Sequence, residues 1–287
     1  MGGNESVAIV AILKHEGEFV EEWIAYHRLL GVDHFVLYDN DTRQTLRTLL
    51  APYCDYVKVV DWADGGMNLQ GRNPQTRAYK HALSETHCAW IAFIDVDEFI
   101  VLRKNGTLGE FLVNFRDAEA VLLSWHVFGH NGYFDNPPGL ISELLVRRRL
   151  RPGGQVKSIV RREAIKDIPS AHYCQLRNPL LAFDANHCLY SSKEYPGKTD
   201  VAHINHYYCR SFSNWMARVS RGQVAYPGPP FREEDKWKHD HEACLRQFVI
   251  VSKDFNEYVD AYLTCYAQKI KAFLEAAKQV PSAAGRI

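Results

Sequence analysis

The sequence predicts an α/β fold in which a mainly parallel, twisted sheet is flanked by helices. In the first third of the chain, apolar runs typical of buried strands alternate with amphipathic helical segments. Strands separated by helices in this way form parallel sheets with right-handed crossovers. The composition agrees, since 46% of the 287 residues are hydrophobic and 24% are charged, which provides ample material for a core.

The predicted elements of the first half follow one another in regular alternation. The β-branched run at 7–13 is typical of a strand covered on both faces, and Phe19, Trp23 and Tyr26 recur at helical spacing within a helix at 18–30. The remaining predicted elements of this half are a strand at 34–38, a helix at 45–51, a strand at 56–60, a helix at 74–86 and a strand at 89–94.

The second half is less regular. A loop rich in Gly, Pro and Asn is predicted at 128–140, where it could cover a site. The other predicted elements are strands at 120–125, 156–162 and 201–208, helices at 213–221 and 257–278, and a proline-rich linker at 226–231. Because a single core stops growing near ~250 to 300 residues, we expect one domain at 1–222 and a mostly helical C-terminal extension at 223–287 packed on it.

The charge balance and the cysteines indicate which partners and which cellular compartment to expect. The 34 basic residues balance 34 acidic ones, so there is no bulk positive field to attract nucleic acid. The longest apolar runs fall far short of the ~20 residues that a membrane span needs, and residues 1–5 lack a basic signal-peptide start. Seven scattered cysteines without a C-x-x-C pair indicate free thiols in a reducing compartment. We expect a cytoplasmic protein with no transmembrane segment, leaving peripheral membrane contact and oligomeric state open.

Asp95 and Asp97 form a D-x-D motif directly after the most apolar predicted strand. In an extended backbone, residues i and i+2 point to the same side, so both carboxylates could face one cation. Two carboxylates with open coordination positions suit Mn²⁺ or Mg²⁺ bridging a diphosphate. A D-x-D string by itself is also compatible with a solvated turn, but its position at the end of a buried strand favours a metal site.

The segment from His203 to Tyr207 ends a late predicted strand and carries two histidines. In an extended segment, His203 and Asn205 share one face, whereas His206 points to the other. One imidazole could complete the metal shell, and we favour His206, with His203 as the reserve. A histidine with a purely structural role is the alternative for both.

Polar residues that follow the first strands are candidates for nucleotide binding, because the carboxyl ends of parallel strands meet at one edge of a sheet. The sequence contains neither the glycine fingerprint of a dinucleotide site nor a P-loop, so metal and basic side chains would have to neutralise the phosphates. The candidates for donor contacts, beside Asp95, are Lys14, Glu16, Asp39, Asn40, Arg72, Lys157 and Arg218.

Six segments carry a family resemblance in their order and spacing, namely KHEGEFVEEWIAYHRLLGVDHFVLYDND, WIAFIDVDEF, WHVFG, VKSIV, HINHYYCRS and ARVSRG. Together they resemble the nucleotide-sugar-dependent glycosyltransferases near families 2 and 92, over roughly residues 7–222. The resemblance implies the GT-A fold, a divalent metal at the D-x-D motif, and inverting transfer from a nucleotide diphosphate sugar, with a UDP sugar as first choice. It also implies that Asp39 lies near the nucleoside and that His206 completes the metal or phosphate site. His15 departs from the pattern, which more usually has Asn there.

Inverting transfer to a glycan or glycoconjugate hydroxyl requires a base. Glu143 is the first choice for this base, although an acidic surface residue without a catalytic role is an equally good interpretation of it. Asp184 and His172 are the alternatives. Lys157 or Arg218 could stabilise the leaving diphosphate. Two other functions fit a D-x-D motif, a metal-dependent phosphohydrolase and a nucleotide-sugar binding module without turnover. The phosphohydrolase is less favoured, because its motif normally lies on the first strand of the domain.

Overall fold

The computed structural model describes residues 5–41, 45–62, 73–190, 197–221 and 241–279. Within these residues, the centre of the fold is a nine-stranded sheet. Its first part contains β1 (Val7–Leu13), β2 (His34–Asp39), β3 (Val57–Asp61) and β4 (Trp90–Phe93), which pair in parallel in the order β3-β2-β1-β4. Every residue of β1 is buried, as a strand covered on both faces requires.

Three helices connect these strands: α1 (Gly17–Leu29), α2 (Leu46–Leu49) and α3 (Pro74–Ala82). Helix α3 begins at Pro74 as predicted, but it ends at Ala82 rather than at 86. Asn73 caps it, since its side-chain oxygen accepts from the Gln75 N–H at 2.8 Å. Helix α1 packs on the sheet through buried aromatic residues. The Trp23 indole donates to the Glu98 carbonyl at 2.8 Å, and the Tyr26 hydroxyl donates to the Ile100 carbonyl at 2.6 Å.

The chain then forms β5 (Glu98–Leu102), α4 (Leu108–Leu112), β6 (Ala120–Val127), α5 (Ile141–Leu144), β7 (Arg147–Arg148), β8 (Val156–Arg161), β9 (Ile165–Asp167), β10 (Gln175–Leu176), β11 (Ala182–Asp184) and β12 (Ala202–His206). The central sheet continues in the order β4-β8-β6-β12-β5, and β11 pairs with β6. Strand β8 is antiparallel to β4 and β6, and β5 is antiparallel to β12. Within the described part of the central sheet, five pairings are parallel and three are antiparallel, so the predicted mainly parallel sheet is confirmed.

Strand β5 is not among the predicted elements, because the apolar run of the fourth predicted strand ends at the D-x-D motif. The chain instead turns there, and the Glu98 N–H donates to the Asp95 carbonyl at 3.0 Å. It then re-enters the sheet at its far edge, separated from β4 by β8, β6 and β12. The expectation that the D-x-D backbone stays extended is therefore wrong.

The last described elements are α6 (Phe212–Arg221), α7 (His241–Asp254), β13 (Tyr258–Val259) and α8 (Ala267–Lys278). The helix predicted over 257–278 is correct only in its second half, because β13 pairs with β7 and a 3-10 turn follows at 262–266. Helix α7 was not predicted. Tyr266 packs edge-on against Tyr26 with ring centroids 5.2 Å apart, which joins this part of the chain to α1. The predicted linker at 226–231 lies outside the described residues, and the domain boundary at residue 222 stays a prediction.

Two further predictions concern the chain as a whole. All seven cysteines are free, as their odd number and scattered positions indicate. Among the helices that the structure describes, none has both the length and the apolar character needed to cross a bilayer.

Candidate active site

The turn between β4 and β5 carries both aspartates of the D-x-D motif, at the edge where the parallel strands of the first half have their carboxyl ends. Because the backbone turns rather than staying extended, the two carboxylates meet different partners. Asp95 contacts Gln75 and Lys157, whereas Asp97 contacts His206 and Arg218. The motif therefore presents two separate carboxylate environments at one rim of the sheet.

Asp95 is held by side chains from α3 and β8. Its Oδ1 accepts from Gln75 Nε2 at 2.8 Å, and its Oδ2 lies 2.8 Å from Lys157 Nζ. Lys157 is 1% exposed and also lies 3.3 Å from Glu98 Oε2. Burial alone lowers the pKa of Lys157, but the adjacent carboxylates outweigh this effect and raise the pKa above its ordinary value. Lys157 is thus a charged residue beneath the site rather than at its surface.

Glu98 supports the same turn from inside the protein. It is fully buried, and its Oε2 accepts from the Asp95 N–H at 2.8 Å. Its Oε1 has no hydrogen-bond partner among the described residues. Burial raises the pKa of Glu98 well above its usual range, although the Lys157 charge opposes the shift. Glu98 and Lys157 together fix the backbone and the carboxylate of Asp95.

Asp97 lies in a buried cluster of cationic and imidazole groups. Its Oδ2 is 3.0 Å from Arg218 Nη1, 3.5 Å from His206 Nε2 and 4.0 Å from Arg210 Nη2. Burial alone would raise the pKa of Asp97, but His206, Arg218 and Arg210 hold it well below its ordinary value. Asp97 is therefore ionised at neutral pH.

Strand β12 brings His206 to this cluster. His206 pairs with Glu98 across the antiparallel ladder, and the next residue, Tyr207, donates its N–H to the Asp97 carbonyl at 2.8 Å. His203 and Asn205 share the opposite face, as the strand alternation predicts, and their side chains are 3.1 Å apart. The structure thus places His206 beside Asp97 and His203 away from it.

The pair formed by Asp97 and His206 suits a hard or borderline divalent cation. The described part of the chain does not gather three His, Cys, Asp or Glu side chains into one metal site, because Asp95 is held apart by Gln75 and Lys157. Mg²⁺ is commonly bound through one or two carboxylates and completed by substrate phosphates and water. Asp97 Oδ2 and His206 Nε2 are 3.5 Å apart and could share a cation if Arg218, which lies 3.0 Å from the same oxygen, moves away from it.

The ends of β1 and β2 provide the residues predicted to contact a nucleoside. Asp39 is buried, and its Oδ1 accepts from the Asp41 N–H at 3.0 Å. Burial is the main cause that raises the pKa of Asp39. Asn40 donates to the Trp62 carbonyl at 3.0 Å, and His15 Nε2 lies 3.3 Å from Asp41 Oδ1. These groups lie at the same rim as the D-x-D turn and are held by local contacts.

The remaining predicted donor contacts differ in their surroundings. Lys14 follows β1 and is half-buried, and Glu16 forms an ion pair with the buried Arg210. Arg218 contacts Asp97 and also donates to the Tyr208 carbonyl at 2.6 Å. Arg72 lies outside the described residues.

The three candidate bases lie in different places. Glu143 lies on α5, and its carboxylate is 2.6 Å from Lys271 Nζ of α8. Asp184 ends β11 and accepts from the N–H groups of the next turn, at residues 186 and 188, both at 2.9 Å. His172 packs edge-on against Trp125, with ring centroids 5.5 Å apart, and Trp125 in turn lies 4.3 Å from the His206 ring. Of the three, His172 is the one that the structure joins to the D-x-D surroundings.

Two residues that hold Asp95, Gln75 and Glu98, were not identified as site residues from the sequence. Arg210 was a basic candidate, but its buried position was not predicted. Glu98 had a signal, since it directly follows the D-x-D motif. Gln75 had none, because only the packing of α3 on the sheet brings it to Asp95. Arg210 follows the histidine cluster as one of several arginines, and nothing in the sequence distinguishes it as buried.

The mainly parallel sheet with flanking helices and a D-x-D turn at its rim is the α/β arrangement that the resemblance to GT-A glycosyltransferases implies. The sequence model of glycosyltransferase family 92 matches residues 15–241. The chain therefore belongs to glycosyltransferase family 92.

Curated relatives carry the same family description. A glycosyltransferase family 92 protein from Oryza sativa subsp. japonica is 26% identical over 283 residues, which cover 92% of this chain and 44% of the relative. One from Ricinus communis is 25% identical over 278 residues, covering 88% of this chain and 43% of the relative. The chain thus spans less than half the length of these relatives.

Partial similarity to solved structures is also found. Glucosyl-3-phosphoglycerate synthase from Mycobacterium tuberculosis, in complex with Mn²⁺, UDP-glucose and phosphoglyceric acid, aligns with 16% identity and a TM-score of 0.34, covering 56% of this chain and 58% of that chain. Mannosyl-3-phosphoglycerate synthase from Rubrobacter xylanophilus aligns with 14% identity and a TM-score of 0.34, covering 56% of this chain and 55% of that chain.

Proposed function

We propose that this chain is a metal-dependent glycosyltransferase. It transfers a sugar from a nucleotide diphosphate sugar, with a UDP sugar as the first candidate, to a hydroxyl of a glycan or glycoconjugate, with inversion at the anomeric carbon. The observation that carries the proposal is the ionised, buried Asp97 beside His206 at the carboxyl-end rim of the sheet, in a chain of family 92. Ligands of open α/β sheets bind at this rim.

Asp97 and His206 would hold Mn²⁺ or Mg²⁺, with Asp95 on the adjacent side of the turn. When bound, such a cation stabilises the negative charge that develops on the leaving nucleoside diphosphate. Arg218 can add to this effect, because its side chain is 27% exposed and arginine makes planar two-point contacts to phosphate. Lys157 is better suited to position Asp95 than to touch the diphosphate, because its ammonium group is enclosed by Asp95 and Glu98.

The nucleoside would lie over the ends of β1 and β2. Asp39 and Asn40 provide oxygen and amide groups at the end of β2, and Lys14 and Glu16 lie at the end of β1. Carboxylates and amides are suitable partners for ribose hydroxyls and base edges. Arg72 is a further donor contact on sequence grounds alone.

We assign the base to His172 in preference to Glu143 and Asp184. The Val156 carbonyl can only accept, so His172 Nδ1, at 3.2 Å, carries the proton and Nε2 keeps its lone pair. Burial lowers the pKa of His172, and the nearby Lys157 charge lowers it further, so the ring is neutral at pH 7. Nε2 can take the proton of the acceptor hydroxyl as its oxygen attacks the anomeric carbon and the bond to the diphosphate breaks.

Two other functions were compatible with the motif. The family match does not favour the phosphohydrolase. A nucleotide-sugar binding module without turnover would show the same donor binding, and it is distinguished by the absence of both transfer and donor hydrolysis.

Thermal shift assays with a panel of nucleotide sugars, each with and without MnCl₂, test the proposal. We expect at least one donor to raise the Tm of the wild-type protein in a Mn²⁺-dependent manner, and Asp97→Asn to abolish this shift. Asp200→Asn is a matched control, because Asp200 pairs with Lys104 on the surface. A donor-induced shift of the same size in Asp97→Asn would contradict the assignment of the site.

A further inference from the structure

Arg210 is a fully buried arginine that lies between two loops of the proposed donor site. Its side chain is 0% exposed, and its Nη1 forms an ion pair with Glu16 Oε2 in the segment after β1. Its Nη2 lies 4.0 Å from Asp97 Oδ2 in the D-x-D turn. The guanidinium also covers the Phe19 ring at 4.0 Å from the ring centroid. Arg210 therefore bridges the nucleoside side and the metal side of the site.

The stability of the fold does not by itself explain such a residue. Removing a charged pair from water is costly, and apolar replacements of buried ion pairs are often neutral or stabilising. In addition, Arg210 Nε and Nη2 have no hydrogen-bond partner among the described residues, which adds to the cost of burial. Arg210 thus lies between the carboxylates of Glu16 and Asp97, although two of its nitrogens make no hydrogen bond to the described residues.

The backbone around this ion pair is strained on both sides. His15, which precedes Glu16, has φ +56°, and Arg210 itself has φ +47°. Residues other than glycine rarely adopt this left-handed region, and they persist there only where the surrounding structure holds them. Two strained residues far apart in sequence thus adjoin the same ion pair, which indicates that the pair holds both loops in place.

The two arginines beside Asp97 differ in what they can reach. The Arg218 side chain is 27% exposed, so it can contact a phosphate in the site. The Arg210 side chain is 0% exposed and lies against Phe19, Glu16 and Asp97, so it presents no surface to a phosphate. A role in direct donor binding therefore suits Arg218, and an indirect role suits Arg210.

We propose that Arg210 is a positioning residue, which fixes Glu16 relative to Asp97 so that the two sides of the site keep the spacing of one nucleoside diphosphate. It acts through these two carboxylates and does not touch the donor. The inference rests on the proposed function, because it assumes that a nucleoside diphosphate binds at this rim.

The test compares Arg210→Lys with the wild-type protein and with Arg148→Lys. Lysine keeps the positive charge but cannot reach both carboxylates as a planar fork does. Arg148 is a matched control, because it is also buried and lies 3.0 Å from Asp260, in an ion-pair network on β7. The measurements are the Kd of UDP in MnCl₂ by calorimetry, the Tm, and the donor KM and kcat.

We expect Arg210→Lys to weaken UDP binding by about tenfold or more and to raise the donor KM by a larger factor than it lowers kcat. Arg148→Lys should lower the Tm by about as much as Arg210→Lys does, but it should leave the Kd of UDP within about twofold of the wild-type value. Wild-type affinity in Arg210→Lys, or equal weakening in Arg148→Lys, would overturn the inference. If the wild-type protein itself fails to bind UDP or another nucleoside diphosphate, the proposed function fails, and this inference fails with it.

Glu16→Gln provides a second test that does not depend on the folding of an Arg210 variant. It removes the charge at the other end of the ion pair, and we expect it also to weaken UDP binding. The double variant Glu16→Gln/Arg210→Lys should weaken binding by clearly less than the product of the two single effects, because the residues act as one unit. Effects that multiply would show that the two residues act independently and would overturn the positioning role.

Discussion

His27 is a buried, neutral histidine that links α1 to β5, and because only the unfolded chain protonates it at mildly acidic pH, the protein is expected to lose stability there. The Ile100 N–H lies 3.2 Å from His27 Nε2, which must therefore accept, and Nδ1 donates to the Trp23 carbonyl at 2.8 Å. Only the neutral imidazole can make both hydrogen bonds, because the protonated ring has no nitrogen that can accept. Burial lowers the pKa of His27 from 6.5 to about 3.

The magnitude follows from the difference in proton binding between the folded and unfolded states. Below pH 6.5 the unfolded chain binds a proton at this position, whereas the folded protein does not until about pH 3. The contribution of His27 to stability is therefore lost as pH falls through this window, by about 1.4 kcal/mol per pH unit. Between pH 7 and pH 5 the loss is about 2 kcal/mol, a substantial part of the ~5 to 15 kcal/mol that stabilises a typical protein.

Urea denaturation of the wild-type protein and of His27→Gln at pH 7, 6 and 5 measures this effect. Glutamine can accept from the Ile100 N–H but does not titrate, so the free energy of unfolding of the variant should fall by about 2 kcal/mol less than that of the wild type between pH 7 and pH 5. His87→Gln controls for the loss of an exposed imidazole and should follow the wild type. Equal losses in the wild type and His27→Gln would refute the reasoning.

Three further predictions concern the site and its support. Lys157→Met is expected to lower the free energy of unfolding by about 1 to 3 kcal/mol, because it removes the ammonium partner of the buried Glu98 side chain, whose raised pKa lets it take up a proton instead. An unchanged urea midpoint would argue against the pairing. Thr107→Ala removes the capping box of α4 and should cost about 1 kcal/mol, seen as a lower Tm. His172→Gln should reduce kcat by about 10²- to 10⁴-fold, and Glu143→Gln by a smaller factor; the opposite order in steady-state assays would return the role of base to Glu143.

The sequence predicts the first half of the fold because its signals there are local. Each apolar run is long enough to form a strand, and the helices between them have their own start and stop residues. Strand β5 was missed because its start lies within an acidic turn and its partner, β12, comes about a hundred residues later. The segment at 257–266 has apolar residues at helical spacing, yet Asp260 is bound there by Arg103 and Arg148, and this contact cannot be inferred from spacing.

In the candidate site, too, the local features were predictable and the long-range contacts were not. Strand alternation correctly separated His206 from His203, because the side-chain direction in a strand depends only on neighbouring residues. The enclosure of Lys157 and the buried position of Arg210 were not predictable, since each depends on partners far away in the sequence. Residue types and local geometry are readable from a sequence, whereas the balance between buried charges requires the packed structure.

The separation of β4 from β5 in the sheet has a consequence for biosynthesis. The three strands that lie between them, β6, β8 and β12, are all encoded after the D-x-D turn, and Arg218 is encoded later still. A nascent chain on the ribosome can therefore form the parallel half of the sheet early, but Asp97 acquires its buried surroundings only once residue 218 has emerged. Until then, translation intermediates carry an acidic turn that is open to water.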